Sequence, residues 1–148
     1  MGLIQAKWEQ EECRIENGIY FSDDSFIQLA GSATEGYQAA IRQSLEALME
    51  KNVNGWAYID PTSSAEDQSL SIVGGGGSYE GEGFLAVMAV DTGRLIWLLH
   101  LTDAERFTEI RIDGSLIRAI SDEYPFRYAW TIPVESPHAL VVTAHKQI

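Results

Sequence analysis

The residues best suited to chemistry are six carboxylates that lie between Lys51 and Arg94. This stretch contains no lysine or arginine, and its acidic residues account for half of the formal net charge of −12. They are Asp60, Glu66, Asp67, Glu80, Glu82 and Asp91. Like charges held close together raise the free energy of a compact state, so such a fold needs compensation elsewhere or a basic partner. The stretch therefore predicts an acidic surface that meets a positively charged macromolecule.

Four consecutive glycines at 74–77 invite comparison with a phosphate-binding loop. The phosphate-loop motif requires a lysine after its last glycine, and no lysine lies within ten residues of this run. Glu80 and Glu82 would also repel a phosphate group. We therefore expect a flexible hairpin connection over 74–83 and a second mobile polar loop over 61–68.

The sequence contains no motif typical of a catalytic or metal site. It has no nucleophile elbow, no zinc-binding histidine pair and no calcium loop. Cys13 is the only cysteine, and two glutamates precede it, which disfavours a reactive thiolate. His100 lies in an apolar run and is predicted to be a core histidine with a backbone partner. We expect no enzyme activity, no metal and no cofactor; a small enzyme using carboxylates and His100 in a tryptophan-lined cleft is the alternative.

The distribution of basic residues disfavours a nucleic-acid partner. The ten lysines and arginines are scattered, whereas a phosphate lattice needs them on one face. The only group of arginines is interleaved with carboxylates, which predicts surface ion pairs. The arginines are Arg106, Arg111, Arg118 and Arg127, and the carboxylates are Glu105, Glu109, Asp113, Asp122 and Glu123. No apolar run approaches the roughly 18 residues needed to span a bilayer, and the N-terminal residues do not resemble a targeting signal. We expect no membrane partner and a cytoplasmic location.

Aromatic residues offer a second candidate interface. Tyr79 lies within the acidic stretch, and residues 124–130 hold four aromatic side chains. Tyrosine and tryptophan beside carboxylates suit binding hot spots, because one side chain supplies both apolar area and a polar group. Trp97 and Trp130 are predicted to lie in the core. Whether the acidic loops or the 124–130 segment forms the interface is left open.

One principal amphipathic helix is predicted over about 33–51. Ser32 and Glu35 match a capping box, and apolar residues then recur at spacings of four, four and three. These apolar residues are Tyr37, Ile41, Leu45 and Leu48. Asn52 and Gly55 provide the stop signal.

Most of the remaining chain is predicted to form short strands. The apolar or alternating runs are 26–29, 56–59, 70–73, 84–90, 94–101, 107–112, 116–120, 127–132 and 139–144. Hairpin turns at 91–93 and 113–114 indicate antiparallel pairing. Runs 84–90 and 96–101 are apolar on almost every residue, which predicts the centre of a sheet covered on both faces. The sequence thus predicts a single α+β domain over 1–148, with a mostly antiparallel sheet and one principal helix.

The size, acidity and lack of catalytic motifs resemble the small acidic immunity proteins of bacterial contact-dependent and other polymorphic toxin systems. The resemblance implies a non-enzymatic inhibitor that binds and neutralises a cognate toxin, often a nuclease with a basic substrate cleft. The residues assigned to partner binding are Asp60, Glu66, Asp67, Tyr79, Glu80 and Glu82. A homo-oligomeric adaptor module is a further alternative, and the sequence does not predict the oligomeric state.

Overall fold

Two antiparallel sheets that share one hydrophobic core make up most of the fold. The computed structural model describes residues 2–77 and 81–147. Within these ranges a nine-stranded sheet packs one face against a four-stranded sheet and the other against two short α-helices. All described strand pairs are antiparallel. The expected antiparallel sheet is therefore confirmed, although the fold is more strongly β than the sequence predicted.

The larger sheet contains the strands of the first two thirds of the chain. They are β1 (Glu12–Arg14), β2 (Gly18–Phe21), β3 (Ser25–Ser32), β4 (Gly36–Ala39), β5 (Gln43–Ser44), β6 (Trp56–Glu66), β7 (Leu70–Gly77), β8 (Gly83–Ala89) and β9 (Leu95–Leu101). Their spatial order is β1-β6-β7-β8-β9-β2-β3-β4, and β5 also pairs with β3. The apolar strands β8 and β9 lie at the centre and are covered on both faces, as predicted.

The smaller sheet is a meander of four strands in sequence order. They are β10 (Phe107–Asp113), β11 (Leu116–Glu123), β12 (Phe126–Pro133) and β13 (Val141–Lys146). A short 3-10 helix, Pro137–Ala139, precedes β13. The glycine of the 113–114 hairpin has a φ of 63°, the left-handed conformation that this turn signal predicts.

The helical part of the described chain is small. Helix α1 spans Leu3–Trp8 and helix α2 spans Glu46–Lys51. The predicted helix over 33–51 is wrong except for its last six residues, because 36–39 and 43–44 are strands. Ile41, which the pattern placed on the buried face, is 80% exposed. Neither described α-helix has the length and apolar character that crossing a lipid bilayer would need.

The capping-box signal at Ser32 marks a different structure from the one predicted. The Oγ atom of Ser32 accepts a hydrogen bond from the backbone N–H of Glu35 at 3.1 Å, as in a helix cap. Here the same bond closes the turn between β3 and β4, and Gly36 follows with a φ of 87°. Tyr37 then stacks on Trp130 with ring centroids 5.8 Å apart. Packing against the smaller sheet therefore outweighs the local preference for a helix.

The core has one part on each side of the larger sheet. Trp97 and Trp130 are both 1% exposed and lie between the two sheets, which confirms their predicted core position. The other part lies beneath the helices and includes Phe26, Phe84 and Leu98. Tyr128 is also buried, whereas Tyr124 is 83% exposed.

The glycine run belongs to β7 and lies in the interior of the fold. A Cβ atom on Gly74 would lie 2.7 Å from the Cδ1 atom of Ile110, and one on Gly83 would lie 2.6 Å from the carbonyl oxygen of Glu105. Because these glycines have no Cβ atoms, the segment that leads into β10 can pass in close contact over the backbone of the larger sheet. The expected flexible connection over 74–83 is therefore wrong for 74–77 and for Gly83, which lie in β7 and β8. The expected loop over 61–68 is wrong for the residues within β6.

Candidate functional site

Asp60 and Glu66 are exposed residues of β6 and do not lie on mobile loops. The bulge between Pro61 and Ser63 puts them on opposite faces of the strand, because their partners Gly76 and Ser71 lie on opposite faces of β7. They are six positions apart along the extended chain, which corresponds to roughly 20 Å. The side chains of both residues are without an ion pair among the described residues. Both carboxylates are therefore exposed to solvent and available to an approaching cation.

Asp67 holds the turn between β6 and β7. Its Oδ1 atom accepts hydrogen bonds from the backbone N–H groups of Ser69 at 2.8 Å and Leu70 at 2.7 Å. These bonds to the charged form lower the pKa of the Asp67 carboxyl. The geometry thus gives Asp67 a structural task in addition to its charge. Tyr79 and Glu80 lie outside the described residues.

Glu82 lies apart from the exposed carboxylates and faces the interior. Its Oε2 atom is 4.0 Å from the Nε2 atom of His100, and its side chain is only 13% exposed. Burial raises the pKa of Glu82. The buried thiol of Cys13 also has its pKa raised, first by burial and then by Glu82. Glu82, His100 and Cys13 are thus three titratable groups that lie close together in the interior.

Neither ring nitrogen of His100 meets full hydrogen-bond geometry within the described residues, yet the backbone carbonyl of Glu16 lies close enough to act on the pKa of the ring, as the expected backbone partner would. The same carbonyl also accepts the hydroxyl hydrogen of Tyr20 at 2.6 Å. Burial lowers the pKa of His100 to about 4, against a weaker opposing effect of Glu16. At neutral pH the ring is therefore uncharged, and the pair consists of a neutral imidazole beside a poorly solvated carboxyl.

The Glu82 and His100 pair predicts a loss of stability in acid. Between pH 6.5 and about 4, His100 binds a proton in the unfolded chain but stays unprotonated in the folded chain. The free energy of unfolding should therefore fall by up to about 3 kcal/mol as the pH drops through this window. The raised pKa of Glu82 offsets part of this fall, because the folded state protonates that carboxyl first. Urea unfolding measured at several pH values tests the slope.

A matched pair of variants isolates the contribution of His100. His100→Gln should flatten the fall between pH 6.5 and 4, whereas His138→Gln, at an exposed histidine, should leave it unchanged. An identical slope in wild type and His100→Gln would show that the buried ring does not govern acid stability.

A carboxylate-dependent enzyme would need two carboxylates that face each other, and the pair of Glu82 and His100 supplies only one. The other carboxylate that acts on the ring, Glu16, is held by Arg14, whose Nε and Nη2 atoms donate to it at 2.9 and 2.8 Å. Within the described ranges, no three His, Cys, Asp or Glu side chains converge as a metal site would require.

An exposed tyrosine joins the carboxylates of β6, and sequence reasoning missed it. Tyr58 is 66% exposed and lies two residues before Asp60, so both side chains project from the same face of the strand. Glu11 lies beside this strand, because its backbone oxygen accepts the N–H of Ile59 at 3.0 Å, and its side chain is exposed. We call Glu11, Tyr58, Asp60 and Glu66 the β6 surface; it includes both faces of the strand. The alternation around Asp60 was the signal that could have revealed Tyr58.

Arg14 positions the N-terminal side of the β6 surface. Its side chain is fully buried, and its guanidinium lies 5.1 Å from the ring centroid of Trp56, its register partner on β6. The Nη1 atom also contacts the sulfur of Met49 at 3.4 Å. This one side chain therefore fixes β1, β6 and α2 against each other.

Two arginines of the smaller sheet pair with carboxylates on that sheet. Arg118 binds Asp113 at 2.9 Å and Arg127 binds Asp122 at 2.8 Å, which confirms the predicted surface ion pairs for two of the four arginines. Asp60 and Glu66 have no such ion pair within the described residues, although the side chain of Arg106 lies over Gly76, the register partner of Asp60.

No family model matches the chain, and no curated protein matches it.

Proposed function

We propose that this chain is a non-enzymatic inhibitor that binds a basic protein, in the manner of a bacterial immunity protein that neutralises its cognate toxin. The observation that carries the proposal is the β6 surface, which combines exposed carboxylates with an exposed tyrosine. In this reading, the inhibitor occludes a basic substrate cleft by laying an acidic strand across it. A nuclease is one toxin class with such a cleft.

Tyr58 is the proposed anchor of the contact. Binding energy at protein interfaces is concentrated in a few residues, and tyrosine is among the commonest because it buries a large ring while keeping a polar hydroxyl. The surrounding charges Glu11, Asp60 and Glu66 would act earlier, by attracting the partner and orienting it. Tyr58 thus supports affinity, whereas the carboxylates support the association rate.

The geometry favours recognition through side chains over addition of a partner strand to β6. Pro61 lies within this strand, and the pairing with β7 has a bulge between Pro61 and Ser63. Proline lacks a backbone donor and bulges twist an edge, and both devices discourage pairing with another chain. The partner is therefore expected to meet the carboxylates and the tyrosine ring of β6.

Charge reversal on β6 should abolish capture of the basic partner. The double variant Asp60→Lys/Glu66→Lys is immobilised beside wild type and exposed at low ionic strength to extract of the source cell, and captured proteins are identified. The matched control is Glu46→Lys/Glu50→Lys, which changes the net charge equally at two exposed carboxylates of α2. Wild type and control should retain the same basic protein, and the β6 variant should lose it.

The purified partner then allows a kinetic test. Its association rate with wild type should fall by roughly tenfold or more from low to high ionic strength. A salt-independent rate would contradict the steering role of the β6 surface. Equal loss of binding in both double variants would show that net charge, and not this surface, is recognised.

A further inference from the structure

The free edge of β13 differs from the other exposed sheet edges that the structure describes. Edge strands invite pairing with another chain unless they are short, charged, bulged or interrupted by proline. β1 and β4 have only three and four residues. β10 has a bulge between Phe107 and Glu109 and alternates exposed charges. β13 has six residues, contains no proline and pairs with β12 without a register shift.

The backbone groups on the open side of β13 can be assigned from its pairing. The N–H of Gln147 donates to the carbonyl of Pro125 at 2.6 Å, so the odd-numbered residues of this strand bond to β12. The N–H and C=O groups of Val142, Ala144 and Lys146 consequently point away from β12. None of them bonds elsewhere in the described chain. β4 contacts β13 but forms no ladder with it.

We infer that β13 pairs antiparallel with β13 of a second copy of this chain, across a twofold axis at Ala144. In this register Ala144 faces its own copy and Val142 faces Lys146, so no like charges lie directly opposite. Both alternating sets of backbone groups then find partners, and the two smaller sheets join into one continuous sheet of eight strands.

Charge favours a second copy as the occupant of this edge. Residues 107–146, which form the smaller sheet and its connections, contain five carboxylates and four lysines or arginines, a net charge of −1. The rest of the chain carries the remaining −11 of the net −12. Two identical acidic molecules therefore meet least repulsion where their smaller sheets approach. The inference is independent of the proposed toxin partner. The dimer would form through the nearly neutral smaller sheet, whereas the toxin partner would bind the acidic β6 surface of the larger sheet.

Sedimentation velocity over a range of protein concentrations tests the pairing. Wild type should approach twice the monomer mass of 16.4 kDa as the concentration rises. Ala144→Pro removes an outward N–H without touching the bonds to β12, and it should sediment as a folded monomer. Ala39→Pro is the matched control, since the N–H of Ala40 bonds to Gln28 and that of Ala39 therefore points outward from β4. This control should still dimerise.

Amide hydrogen exchange in wild type keeps the inference testable if Ala144→Pro fails to fold. The amides of Val142, Ala144 and Lys146 should become protected as the concentration rises, together with the odd-numbered amides that are protected already. A wild-type monomer at all concentrations would overturn the inference. So would a dimer that persists in Ala144→Pro, or rapid exchange of these three amides in the dimer.

Discussion

Replacing Glu16 with glutamine is expected to lower the free energy of unfolding by about 3 to 5 kcal/mol, because it leaves a buried guanidinium without its counter-charge. Arg14 is fully buried, and both of its bonds to Glu16 are shorter than 3 Å. An arginine cannot escape the penalty by losing its proton. Chemical denaturation of wild type and variant measures the difference.

The surface pair of Arg127 and Asp122 provides the control for this substitution. Asp122→Asn removes the same kind of carboxylate from an arginine whose side chain is 45% exposed. Water can replace the lost partner there, so the cost should be far smaller than that of Glu16→Gln. Equal losses in Glu16→Gln and Asp122→Asn would mean that burial of Arg14 contributes nothing to the strength of its pair.

A second large effect is expected from adding one methyl group to β7. In Gly75→Ala the new Cβ atom would overlap the backbone carbonyl oxygen of Asp60 and lie 2.9 Å from the N atom of Thr62. Backbone atoms cannot rotate away as a side chain could, so the bulged hairpin of β6 and β7 must shift. The cost should be about 3 kcal/mol, and thermal and denaturant unfolding would both register it.

Gly93→Ala separates steric overlap from backbone strain. Gly93 has a φ of 69°, but a Cβ atom there would meet no heavy atom within 4 Å. Only the strain of a left-handed alanine should be felt, at about 1 kcal/mol. If Gly75→Ala cost no more than Gly93→Ala, the close approach of the β6 bulge to β7 would not be a rigid feature of the fold.

The strands of the second half of the chain could be predicted because their signals agree at every level. Alternation, β-branched residues and glycine turns all favour the same hairpins around 91–93 and 113–114. The first half was harder to predict, because its elements are short and depend on distant contacts. Helix α1 has six residues, and β1 contains Arg14, a residue type that normally indicates a solvent-exposed position.

The candidate site could be predicted only in part, since charge does not reveal burial. Asp60 and Glu66 are exposed as their polarity suggested, whereas Glu82 points inwards toward His100. No local pattern distinguishes these cases, because the depth of Glu82 depends on β8 and β9 lying beside each other. Tyr58 was missed for the converse reason, as an aromatic residue in a strand is more often packed than exposed.

The uneven division of charge between the two sheets makes the folded molecule an electric dipole. In the field of a cationic surface it would rotate before contact, so that the larger sheet faces that surface and the smaller sheet faces away from it. The twofold axis of the antiparallel pair at β13 is perpendicular to the continuous sheet, so a dimer joined in this way would carry both larger sheets on the same face. Its two negative poles would point in the same direction and would meet one extended cationic surface together.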